Sequence, residues 1–136
     1  MTKNIAYALL AVLLLLFAGQ CAYQAATNST VSDEVAHLSA GYSYLKYHDY
    51  RLNPEHPPFA KQLGAFPLLF MNLKFGMDTS AWQSAEQWWL GRSFLYTMGN
   101  PAQRIIFVSR SIIILMGLFF SVFLFFTVKQ LGGLTA

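Results

Sequence analysis

Between Arg110 and Lys129 the chain runs for 18 residues without a charge (SIIILMGLFFSVFLFFTV). A stretch this long and this apolar reads as a membrane-spanning helix, because about 20 residues rising ~1.5 Å each cross the hydrocarbon layer of a bilayer. The apolar character begins earlier, at Ile105, and only Ser109 and Arg110 interrupt it. From a helix end Arg110 can lift its guanidinium to the interface. A second run, Ile5–Ala18 (IAYALLAVLLLLFA), extends through Gly19–Ala26 with only Gln20 and Gln24 strongly polar, and also reaches spanning length. A cleaved signal peptide would share its basic start and Leu-rich centre. However, no A-x-A site lies between Ala18 and Ala26, and Gln20 is a poor residue before a lipoprotein-type Cys21. The run therefore reads as an uncleaved span. Cys21, the single cysteine, cannot pair within the chain and reads as a small buried hydrophobe.

Charge locates the chemistry. Only 11% of residues are charged, against about a quarter in ordinary soluble domains. All six acidic residues, all three histidines and all five prolines fall within residues 27–104. The nine basic residues are scattered, without the block that marks a nucleic-acid surface. Lys3 and Lys129 flank the outer ends of the spans with no acid beside them, which favours both ends in the cytoplasm. The expected fold is an all-α integral membrane protein, with two transmembrane helices joined by a large extracytoplasmic loop that carries short interfacial helices. Its parts are 1–26 (first span), 27–104 (loop with juxtamembrane helices), 105–129 (second span) and 130–136, a cytoplasmic turn. The ending KQLGGLTA reads as a turn leading into another span. The chain is thus expected to be part of a longer protein and to be inactive alone.

Within the loop, Ser32 is expected to cap a helix whose first turn holds Asp33 and Glu34, where negative charge suits the helix N-terminus. Val35, Leu38, Tyr42 and Leu45 share one face, and Asp33, His37 and Tyr44 another. Asp49–Pro58 (DYRLNPEHPP) reads as extended or turn chain, since a residue preceding proline is pushed out of the helical region. Pro58 opens a short helix to about Phe66, which Pro67 ends or kinks. Ser80–Leu95 reads as a third helix with Ser80 and Gln83 as a capping box. Its Trp82, Trp88 and Trp89 are expected to anchor it at the membrane surface.

Asp33, Glu34, His37, His48, Asp49, Arg51, Glu55, His56 and Lys61 crowd into 29 residues just beyond the first span. Asp33 sits at a fixed depth on a helix start, prolines stiffen the segment holding Glu55 and His56, and Lys61 can face back toward the bilayer. A metal site is one reading: Asp33 and His37, four apart, share a helix face, and His48 and His56 could join them. No H-E-x-x-H or C-x-x-C spacing supports it, and a local hydrogen bond explains the pair as well. Asn28-Ser29-Thr30 has the form of a glycosylation acceptor, but lies too near the membrane for ready use.

The run SDEVAHLSAGYSYLKYHDYRLNPEHPPFAKQLGAFPLL resembles the first external loop of polyprenyl-phosphate-dependent glycosyltransferases of the GT-C type. That group includes the protein O-mannosyltransferases and the bacterial aminoarabinose transferases of lipid A. The matching residues are Asp33-Glu34, then Gly41, Tyr44 and Leu45, then Asp49 through Lys61, with Arg110 opening the next span and Leu131-Gly132 closing it. The resemblance spans nearly the whole chain but only the beginning of such an enzyme. It implies inverting transfer of a sugar from a polyprenyl-phosphate donor to an acceptor hydroxyl on the extracytoplasmic face; the lone cysteine and the lack of processing signals fit a bacterial inner membrane. Asp33 would be the catalytic base with Glu34 in a supporting role. Lys61, with Arg51, would bind the donor phosphate. His37, Glu55 and His56 would organise the loop or touch substrate. No cofactor is expected, although some related oligosaccharyl enzymes use a divalent ion. The partners implied are the sugar-bearing lipid and the bilayer. Sugar, lipid length and acceptor are not specified by these residues. Two other readings remain open from the residues alone: a non-enzymatic two-span subunit or scaffold, and a membrane-surface metal protein.

Overall fold

The computed structural model describes residues 2–133. Every regular element among them is helical: α1 (Lys3–Thr27), α2 (Ser32–Tyr47), α3 (Pro58–Ala65), a 3-10 turn (Phe66–Phe70), α4 (Ser80–Gln83), α5 (Gln87–Tyr96) and α6 (Ala102–Gly132). Both α1 and α6 are long and apolar enough to cross a membrane. They pack on each other as a hairpin. Gly117 of α6 opens the contact, since a methyl group there would lie 3.2 Å from the Phe17 ring. At the outer ends the Lys129 ammonium lies 5.0 Å from the centre of the Tyr7 ring, and Tyr7 packs 5.9 Å from Phe125.

α6 differs from the expected span. It begins at Ala102, directly after Pro101, and runs 31 residues, about 46 Å at ~1.5 Å per residue. That exceeds the hydrocarbon thickness by about half. The surplus lies before Arg110, where Ile105, Ile106 and Ser109 are buried against the intervening helices. At the other end Leu131 and Gly132 continue the helix rather than turning, and Gly133 leaves it with a positive φ of 73°. The remainder of the expected turn, 134–136, lies outside the described residues.

The segment between the hairpin arms folds as a helical cap around α2. Ala36 and every residue from Leu38 to Tyr44 are buried, so α2 has partners on nearly all sides. Leu38 and Tyr42 join Leu68, Phe94, Leu95, Ile105 and Ile106 in one cluster, with Val35 and Leu45 packed against it. On the opposite side Tyr44 is buried with Ala40, Leu52, Trp82 and Leu90. Two glycines bring the helices this close. A methyl group on Gly41 would meet the Lys61 carbonyl oxygen at 2.2 Å, and one on Gly91 would meet that of Val35 at the same distance.

Several local expectations are corrected. Val31, not Ser32, precedes the first turn of α2, and its N–H donates to the Glu34 carboxylate at 3.1 Å. Pro58 does open α3, and the α-helix does end close to Pro67, at Ala65; the chain then tightens into the 3-10 turn, at whose start the missing N–H of Pro67 costs nothing. The third helix is two helices, broken around Ala85, which adopts a left-handed φ of 56°. Its cap is Thr79, whose hydroxyl accepts from the Trp82 N–H, while the Gln83 side chain donates to the Met77 carbonyl. Trp82 is not an interfacial anchor, because it is buried; Trp88 and Trp89 are exposed.

Candidate functional site

The cap and the upper part of α6 border an open cavity of about 470 Å³. Its walls come from three elements: Glu34, His37 and Leu38 on α2; His56, Pro57, Phe59, Ala60, Lys61 and Gly64 on and before α3; and Ser109, Arg110 and Ile113 on α6. Most of the lining is apolar, and Ile113 belongs to the uncharged stretch, so the cavity reaches down to the level of the span. Its polar lining residues come from all three elements, and the part of the cavity they border is its head.

Lys61 is held there by α3, which Gly41 lets approach α2 closely. It is only 4% exposed. Its ammonium donates to the Asn53 carbonyl and, at 2.8 Å, to the His56 carbonyl. The Tyr44 ring lies 5.6 Å away, and the Tyr44 hydroxyl donates to the carbonyls of Leu52 and Asn53. Asn53 itself is left-handed, with φ of 49°. The Asn-Pro-Glu-His-Pro segment is thus wound over Lys61 so that its carbonyls point inward. An ammonium has three donors, so one remains beyond these two contacts. Burial pushes the Lys61 pKa down, against the pull of Glu55.

His37 lies half-buried beside it, with the His56 ring edge-on at 5.6 Å. Burial first, then the Lys61 ammonium, lower the His37 pKa below 6.5, although Asp33 pulls the other way. Asp33 is exposed on the first turn of α2, one turn from His37 and outside the cavity lining.

Glu34 and Arg110 form the other side of the head. Arg110 Nε donates to Glu34 Oε1 at 2.7 Å, and Nη2 to Oε2 at 2.6 Å. Nη1 donates to the carbonyls of Ala25 and Asn28, and Nη2 also to that of Ser29. A guanidinium has five N–H donors, and all five are engaged. The carbonyls are those left open where α1 ends. Arg110 lies within α6, beside the end of α1. It ties the end of α1 to the start of α2. Glu34 is correspondingly not free to act on a substrate, since Arg110 occupies both its oxygens.

The remaining predicted residues lie elsewhere. Arg51 pairs with Asp49 at 2.9 Å and stacks over Trp82 at 4.6 Å, outside the cavity. Hydrogen bonds from Arg51 hold the Asp49 carboxyl below its usual range. Glu55 accepts from the Asn53 and Gln87 side-chain amides. His48 ends α2 in a left-handed conformation, about 16 Å of helix from His37 at ~1.5 Å per residue. Among the described residues no three His, Cys, Asp or Glu side chains converge in a way that could hold a metal. Sequence reasoning missed Ser109, which had counted only as an interruption in an apolar run. Its partial signal was its place one residue before Arg110.

Comparisons with family models, curated proteins and solved structures find no match for the chain. The functional reading therefore rests on the residues themselves.

Proposed function

We propose that the protein carries the donor-binding region of an integral-membrane glycosyltransferase of the GT-C kind. The reaction moves a sugar from a polyprenyl phosphate to an acceptor hydroxyl, with inversion, on the extracytoplasmic face of a bacterial inner membrane. The observation that carries this reading is the cavity: an apolar trough at the level of the span, with a buried lysine at its head and an exposed carboxylate beside that head. A lipid phosphate has this shape and charge. Its chain matches the apolar walls, and its phosphate matches the spare Lys61 donor.

In this mechanism the Asp33 carboxylate takes the proton of the acceptor hydroxyl as its oxygen attacks the anomeric carbon. The bond from that carbon to the phosphate oxygen breaks, and the electron pair leaves with the polyprenyl phosphate. Lys61 offsets the negative charge that collects there. Glu34 contributes by holding the turn that carries Asp33 and takes no part in proton transfer. Arg51 has no place in this scheme, since it lies on the Trp82 side of the cap.

The test is Asp33→Asn, assayed for sugar transfer from a radiolabelled polyprenyl-phosphate donor in membranes from cells expressing the gene. Transfer is expected to fall by at least 100-fold, as when a general base is removed, with membrane insertion unchanged. A near-normal rate overturns the assignment. Tight lipid-phosphate binding without any transfer by the full-length gene product favours a non-enzymatic binding subunit instead.

A further inference from the structure

Four hydroxyl side chains lie on the described part of α6. Three of them satisfy themselves within the helix: Ser111 donates to the Phe107 carbonyl at 2.7 Å, Ser121 to Gly117 at 2.8 Å and Thr127 to Phe123 at 3.0 Å. Ser109 does not. It is 2% exposed, and its Oγ has no hydrogen-bond partner. A helical serine can ordinarily bond the carbonyl one turn back, and leaving a buried hydroxyl unpaired costs folding free energy. Ser109 lines the head of the cavity, on the α6 wall beside Arg110.

The charges around the hydroxyl indicate what it would meet. Arg110 and Glu34 neutralise each other. His37 and His56 are the other titratable groups on the lining, and Lys61 is the one remaining full charge. The lining itself therefore carries a net positive charge, with Asp33 outside it, and two hydrogen-bond donors short of partners lie just beneath its surface, the third Lys61 proton and the Ser109 hydroxyl. They come from different elements, α3 and α6.

We infer that Ser109 is a ligand-binding residue that donates a hydrogen bond to the anionic head of a phosphate-bearing amphiphile seated between α3 and α6. The inference rests on the proposed lipid-phosphate reading and extends it to the span itself. Lys61 supplies charge from the cap, and Ser109 supplies a directional donor from the membrane helix. A ligand held by both bridges the cap and α6. A neutral prenyl alcohol of the same length lacks the charge for Lys61 and the extra oxygens for Ser109, so the site discriminates phosphate from alcohol.

The experiment compares binding of farnesyl phosphate and farnesol by native mass spectrometry, using the wild-type protein released from detergent and the variants Ser109→Ala, Ser111→Ala and Lys61→Met. Farnesyl phosphate is expected to bind more tightly than farnesol. Ser109→Ala is expected to weaken the phosphate about tenfold, the loss of one hydrogen bond to a charged group, and to leave farnesol unchanged. Ser111→Ala is expected to change neither. Wild-type phosphate affinity in Ser109→Ala, with binding lost in Lys61→Met, overturns the role of Ser109 and leaves the lipid-phosphate reading standing. Equal binding of farnesyl phosphate and farnesol by the wild type overturns both.

Discussion

Two cations, Arg110 and Lys61, border the same cavity and are held in opposite ways. Arg110 sits at the junction of α1, α2 and α6, with every donor engaged by carbonyls and a carboxylate. Lys61 sits at the junction of α2 and α3, with two of three donors engaged and more complete burial. The planar fork of arginine suits a fixed set of acceptors, whereas lysine offers a compact charge that can turn toward a ligand. The arginine end is a joint of the fold, and the lysine end retains capacity for binding. Which residue belongs to the site is thus decided by the contacts each has left to make.

The largest expected effect breaks the joint. Arg110→Met should destabilise the protein by about 2–4 kcal/mol, somewhat below a fully buried pair because Glu34 is partly exposed. It leaves three carbonyls unpartnered and Glu34 with only the Val31 N–H. Arg110→Lys should recover little of this loss, since an ammonium cannot reach five acceptors. Equilibrium unfolding in mixed micelles measures both, and a variant within 0.5 kcal/mol of wild type would show that the joint carries no load.

Lys61→Met sharpens the same contrast. Stability should fall by only about 1–2 kcal/mol, because the Asn53 carbonyl keeps a share of the Tyr44 hydroxyl proton, which it divides with the Leu52 carbonyl. Farnesyl phosphate affinity should fall at least tenfold. An equal loss of stability in the lysine and arginine variants would erase the distinction.

Much of this arrangement was legible in the chain. The uncharged run and the Ile5–Ala26 run gave both spans, and Pro58 located the start of α3 through its fixed φ and missing N–H. The crowding of Asp33, His37, His56 and Lys61 in sequence is kept in space: His37, His56 and Lys61 line one cavity, and Asp33 lies a turn of α2 from His37. What was hidden depends on distant partners. Glu34 and Arg110 are 76 residues apart, and no local pattern pairs them. Trp82 and Trp89 carry the same side chain, and only the break at Ala85 sends one into the core and leaves the other outside. Arg51 looked equivalent to Lys61 as a cation in the loop, but Asp49 two residues away holds it on the far side.

Acidity provides a smaller effect on the lysine end alone. His37 titrates below its ordinary value because burial and Lys61 disfavour its cation. A bound phosphate would favour that cation, so binding should take up a proton and tighten as the pH falls from 8 toward 6. The ligand-free protein has the opposite sign. Its stability is full above about pH 6.5, the ordinary histidine value, and declines as the pH drops through the lowered native value, since the unfolded chain then binds the extra proton. His37→Gln should flatten both trends while leaving the Arg110 joint unaltered; an unchanged pH profile would remove His37 from the account.

The smallest expected effect is on Asp33. Its exposed position makes Asp33→Asn neutral for folding to within about 0.5 kcal/mol, whatever it does to transfer. A larger loss would place Asp33 with the joint.

The continuity of α6 has a mechanical consequence. One unbroken rod carries the Ser109 wall at one end and the Lys129 contact with Tyr7 at the other. Helices adjust to membranes of different thickness by tilting, and a rod longer than the hydrocarbon layer converts such a tilt into displacement at its projecting end. Ile105 and Ile106 are buried in the cap at that end, so a change of tilt would move the cap and its cleft together with α6. The lipid composition around the protein would then set how far the cleft stands from the hydrocarbon layer.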